Sequence, residues 1–192
     1  MAEIKSTIEM VLERAARMEK ETTEVTGADY SRDGMRLGAS FMNGKEADIM
    51  ASLRAQDEDK QTSMKSGILQ TLLRNITLPR DTDMQAAAHK ALSGLIELCQ
   101  GVEEPANICT ELQTIVDQYA QHKEQSTEQL ENALRDQMQQ QYAAQGREGQ
   151  EVNPVAHPQY AAELSKMLDD LNQQYTQAIE QRKEIITQLI GA

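Results

Sequence analysis

Apolar residues recur at helical intervals along most of this chain. Ile4, Ile8, Val11, Ala15, Met18, Thr22 and Val25 step by fours and threes, the spacing that turns one stripe of a helix toward a partner. That stripe predicts a first helix over about 3–26, stopped at Gly27. Between Ala28 and Gly44 the period fails, because Gly34, Gly38 and the Asn43-Gly44 pair interrupt Met35, Leu37, Phe41 and Met42. The segment reads as a long connection or a short, weak helix. A second helix is predicted over 45–78. Its apolar residues gather at the two ends, and the polar waist from Arg54 to Ser63 is either solvent-facing or a break.

Pro79 disfavours helical geometry at Leu78, and Thr82 with Gln85 resembles a capping box. A third helix therefore runs over about 83–100, with Met84, Ala88, Leu92, Leu95 and Cys99 on its stripe and Gly101 as its stop. Pro105 suits a first helical turn, and a fourth helix over about 105–145 follows a near-heptad seam: Ile108, Leu112, Ile115, Tyr119, His122, Ser126, Leu130, Ala133 and Gln137. Two Gly and two Pro between Gly146 and Pro158 make a loop. The fifth helix, about 158–190, returns through Tyr160, Leu164, Met167, Leu171, Tyr175, Ala178, Arg182, Ile185 and Leu189.

The expected fold is all-α: an elongated bundle of about five helices ending in a long antiparallel, coiled-coil-like hairpin. Residues 1–104 form an N-terminal bundle and 105–192 the hairpin, packed as one structural unit. A fourth helix of about forty residues is roughly 60 Å long. A compact chain of this size is only some 40 Å across. Flanking apolar residues Val116, Leu134, Leu168, Ile179, Ile186 and Ile190 give the hairpin more apolar surface than one seam can bury, so helices of the same chain or a second copy must cover it.

Composition narrows the function. With 19 basic and 31 acidic residues, a net charge of −12, no Trp and one Phe, the chain lacks the basic face and stacking aromatics of a nucleic-acid binder. The N-terminus lacks the apolar stretch of a signal peptide, and no apolar run is long enough to span a bilayer. A cytoplasmic protein without membrane contact is expected, and its two cysteines fit a reducing compartment.

Candidate chemistry is sparse. None of His89, His122 and His157 follows a Glu three residues earlier, as a di-metal bundle site would need, and His122 on the fourth seam reads as hydrogen-bonded. Asp57-Glu58-Asp59 lacks the glycine of a calcium loop. No Gly-rich phosphate loop, Cys-x-x-Cys or Gly-x-Ser-x-Gly occurs, so no cofactor or metal is expected. Cys99 and Cys109 lie symmetrically about Glu104 and so near the same level of an antiparallel hairpin, as two small core residues or as a redox pair. Met35, Leu37, Phe41 and Met42 either plug the bundle's open end or form an adaptable contact patch for another protein.

The reading that follows is a non-enzymatic helical interaction or scaffold protein that self-associates through its stripes. An acidic chaperone or export escort holding a protein client is the alternative, and a metal or redox helical-bundle enzyme ranks below it.

Overall fold

A computed structural model describes residues 30–99, 102–147 and 149–190. The helix expected over 3–26 lies outside the described residues. Those described form six α-helices and no strand: α1 (30–42), α2 (Ile49–Arg54), α3 (Glu58–Asn75), α4 (Thr82–Leu98), α5 (Glu103–Ala144) and α6 (Tyr160–Ile190), with a 3-10 turn at Pro154–Ala156.

The segment read as a connection or weak helix is α1, a well-formed helix, and two of the glycines that seemed to interrupt it are why it packs. A Cβ on Gly34 would come within 2.0 Å of the Met64 carbonyl oxygen, and a Cβ on Gly67 within 2.0 Å of the Ser31 carbonyl oxygen. α1 and α3 thus cross backbone to backbone, closer than the roughly 8–10 Å of ordinary helix pairs. Thr71 seals the crossing: its hydroxyl donates to Gly67 O at 3.0 Å and lies 3.4 Å from Met35 O. Gly44 is the true stop. At φ +72° it takes the left-handed turn that lets Lys45 N–H donate back to Ser40 O at 2.9 Å.

The single helix expected over 45–78 is two helices, and the polar waist is the break. Asp48 starts α2 by accepting from Ala51 N–H, and the chain restarts at Asp57 as α3. Ala55 is the one apolar residue in the waist and it is exposed, so no burial holds a continuous rod together. α3 ends at Asn75, before extended Ile76. The cap of α4 is Asp81, which accepts from Met84 N–H at 2.8 Å, one residue before the expected Thr82. The α4–α5 link lies two residues earlier than expected, since α4 stops at Leu98 and α5 begins at Glu103, placing Pro105 third.

One apolar core joins Phe41, Ile49, Leu53 and the inner faces of α3 and α4 to Cys109, Leu112 and Val116 of α5 and to Ile179, Ile186 and Ile190 of α6. The seam expected on α6 is corrected here. Ile185 and Leu189 are 42% and 40% exposed, whereas the flanking Ile179, Ile186 and Ile190 are buried. The C-terminal half of α6 packs on α3 as well as α5, so the buried face rotates toward the body.

One carboxylate sits badly in this arrangement. Glu97 accepts from Ile49 N–H, but its Oε2 is buried without a partner. Burial, then the neighbouring Asp48 charge, push its pKa up. A carboxyl raised on folding destabilises where it is ionised, and that cost vanishes as pH falls below the unfolded value near 4.3. Glu97→Gln should therefore raise the melting temperature at pH 7 by about 2 °C and leave it unchanged near pH 4. A lower melting temperature at pH 7 would refute this reading of Glu97.

Candidate functional site

Beyond the core, α5 and α6 continue together as an arm. Lys123 marks its root, its ammonium donating to Arg80 O at 3.1 Å. Outward from there α5 runs about 30 Å at 1.5 Å per residue. At the tip Gly146, at φ +70°, closes α5 with Arg147 N–H donating to Tyr142 O, and the 3-10 turn packs against both helices with Pro154 buried.

The two helices are tied by polar rungs in an overall antiparallel order, with the Tyr119 and His122 rungs crossing between the outer two. Glu111 receives Arg182 Nε at 3.4 Å, Tyr119 donates to Asn172 Oδ1 at 2.7 Å, Tyr175 Oη lies 2.6 Å from His122 Nδ1, and Tyr160 donates to Glu131 at 3.1 Å. Tyr119 and Tyr175 also meet edge to face at 5.4 Å. Burial pushes the Tyr119 phenol up, which keeps it a donor. Several of these residues lie on the expected seams. Their pairing was not foreseen, though aromatic and polar side chains on facing seams were the signal for it.

What the rungs leave between them is apolar and open. Among the described residues of the arm only Leu134 and Pro154 are buried, while Leu164, Met167, Leu168 and Leu171 of α6 are half-buried. Met167 and Leu171 line a groove of about 400 Å³ with Ser126 of α5, rimmed by Glu163, Lys166 and Asp170. Two helices cover each other on one side only. Each therefore keeps an apolar flank in water, and the groove is where the flanks meet. Charge on the arm is lopsided: from 124 to 175 there are nine acidic and three basic residues, net −6, half the charge of the chain.

The four residues proposed as partner contacts are all used inside the chain. Phe41 is 5% exposed and its ring sits 2.8 Å from where a Cβ of Gly94 would be; Leu37 and Met42 pack against the core, and Met35 is half-buried at the Gly67 crossing.

Cys99 and Cys109 both lie in the one apolar core, free and buried at 4% and 0% exposure. The neighbouring Cys99 thiol, with burial, pushes the Cys109 thiol up.

His89 belongs to a bridge between α4 and α5. Its Nε2 donates to Asp117 at 2.9 Å, Gln85 donates to the same oxygen at 3.0 Å, and Gln113 donates to Nδ1 at 3.2 Å. Both ring nitrogens are engaged, as a neutral imidazole protonated on Nε2 would be. Among the described residues no group of three or more His, Cys, Asp or Glu could hold a metal ion, and no helix is long and apolar enough to cross a membrane.

Residues 50–188 match the model of one protein family, described as a family of unknown function (DUF6657), a stretch that takes in α3, α4, α5 and nearly all of α6. No curated protein and no solved structure matches the chain.

Proposed function

The chain belongs to this family, and we propose that it is a non-enzymatic, cytoplasmic interaction protein whose α5–α6 arm pairs with the arm of a second copy. The observation that carries this is the groove at Met167 and Leu171, apolar at its floor and uncovered by any other element among the described residues. Two such hairpins laid together make a four-helix bundle, in which the half-buried leucines gain the second layer they lack. A two-fold pairing needs a self-complementary surface. The rim supplies one, since Lys166 on one copy has Glu163 and Asp170 of the other as partners.

Electrostatics opposes the same contact. Each arm brings a net charge of −6, so their approach is repulsive and screened by salt. Sedimentation velocity between about 50 and 500 mM salt should show association strengthening as salt rises, by roughly tenfold in the dissociation constant. Weakening over that range would mean that ion pairs, and not the apolar groove, hold the copies together. A chain that stays single throughout would return the groove to the escort reading, with a protein client as its occupant.

A further inference from the structure

We infer that the cavity between the α3–α4 link and the root of the arm binds a small aliphatic monocarboxylate. The inference does not depend on self-association. The cavity holds about 490 Å³, within the roughly 300–1,000 Å³ of small-molecule sites. Its walls come from three parts of the chain: the extended link with Ile76, Leu78 and Arg80, Met84 in the first turn of α4, and the sides of α5 and α6 with Tyr119, Asn172 and Ile179. The floor is apolar, with Ile76 and Ile179 buried and Leu78 and Met84 half-buried.

The polar groups around that floor are donors without acceptors. Tyr119 Oη donates to Asn172 Oδ1 at 2.7 Å, which fixes the amide and leaves Nδ2, with its two hydrogens, unpartnered among the described residues. Thr176 stands one turn further along α6. Unlike Thr127 and Thr187, whose hydroxyls bond back to the preceding turn, it has no partner among the described residues. Arg80 stands at the mouth. Lys123 holds its backbone by donating to Arg80 O at 3.1 Å, while its guanidinium has no ion-pair partner among the described residues. Glu180 is the one acidic residue lining the cavity, and Lys183 neutralises it at 2.9 Å.

This distribution selects a ligand. A cation and free donors above an apolar floor fit an anion with an apolar body, whereas a neutral hydrocarbon would cover the donors without supplying acceptors. One cation matches one negative charge, and the planar guanidinium fork matches a carboxylate, which takes two parallel N–H bonds. In a chain of net charge −12 a dianion such as a phosphate monoester is the poorer occupant. Asn172 and Leu171 are adjacent on α6 and so about 100° apart around it, which puts the cavity and the groove at Leu171 on different faces of that helix.

The test titrates full-length protein with octanoate by isothermal calorimetry, beside octanol and octylamine. Octanoate should saturate one site per chain, octanol should bind about tenfold more weakly, and octylamine should not bind. Arg80→Gln should weaken octanoate by about tenfold and leave octanol unchanged. Arg80 is exposed, so this variant should keep the far-ultraviolet dichroism of the wild type. Leu171→Glu, outside the cavity, should bind octanoate as the wild type does. N-acetyl-leucine in the same titration separates two sources of this chemistry, a free aliphatic acid and the C-terminus of a peptide, and the tighter binder names the source. No saturable binding of either acid, octanol as tight as octanoate, Arg80→Gln as tight as wild type, or loss of octanoate in Leu171→Glu would each overturn the inference. The comparison of octanoate with octanol is made on the natural sequence, so it holds even where a variant fails to fold.

Discussion

Replacing Gly67 by alanine is expected to lower the melting temperature by about 5–10 °C, corresponding to roughly 2–3 kcal/mol. The sign is the informative part. In the interior of an exposed helix the same change would stabilise by about 1 kcal/mol, because alanine is the better helix former. At Gly67 the added carbon would lie 2.0 Å from Ser31 O and 2.9 Å from Met35 N, both backbone atoms of α1 that no rotamer change can move aside. The two helices must separate, and the contacts between Met64, Ile68 and the underside of α1 loosen with them. Gly38 provides the internal comparison. Its added carbon would lie 3.0 Å from Thr71 Cβ and 3.5 Å from the nearest backbone atom, so a shift of a few tenths of an ångström makes room and Gly38→Ala should cost well under half as much. Thermal melts followed by far-ultraviolet dichroism measure both. An unchanged or higher melting point for Gly67→Ala would mean that α1 does not cross α3 at this point.

Leu171→Glu is expected to weaken self-association by about a hundredfold, or nearly 3 kcal/mol, while leaving the monomer folded. Leu171 is only half-buried in the single chain, so a carboxylate there keeps part of its hydration and costs the monomer little. In a paired arm the same carboxylate would be shut into the apolar floor of the groove beside Met167, with Asp170 nearby as a like charge. Ile185→Glu is the matched control. Ile185 is the more exposed side chain, but it lies on the last turns of α6, beside the body and away from the groove. Sedimentation equilibrium on the two variants separates them: a loss with Ile185→Glu and none with Leu171→Glu would move the contact off the arm.

The long elements were legible because their stripes persist. Over α5 and α6 the apolar residues keep helical phase for many turns, and their ends are marked by Pro105, Gly146 and the prolines of the loop, so bounds and antiparallel pairing follow from spacing alone. Which stripe faces inward was not legible. Ile185 and Ile186 are adjacent and equally apolar, and only the packing of α6 on α3 decides that the second is buried. Glycine misled for a physical reason. In sequence Gly34 and Gly38 lower helix propensity, but propensity is a local quantity, and what keeps them helical is the close approach of α3, a long-range contact with no sequence periodicity of its own. The polar rungs share this difficulty, since Tyr119 and Asn172 acquire meaning only once the hairpin register is set. The cysteines were half legible: their symmetry about Glu104 puts them near the same level, and their burial in the core depends on how far each helix turns.

Multi-angle light scattering on the wild-type chain, at physiological salt and over a hundredfold range of concentration, bears most directly on the arm as a self-contact. The mass should climb from the 21.5 kDa of one chain to twice that value and level off there, as a closed two-fold pair requires. A mass fixed at 21.5 kDa across the whole range would contradict the account.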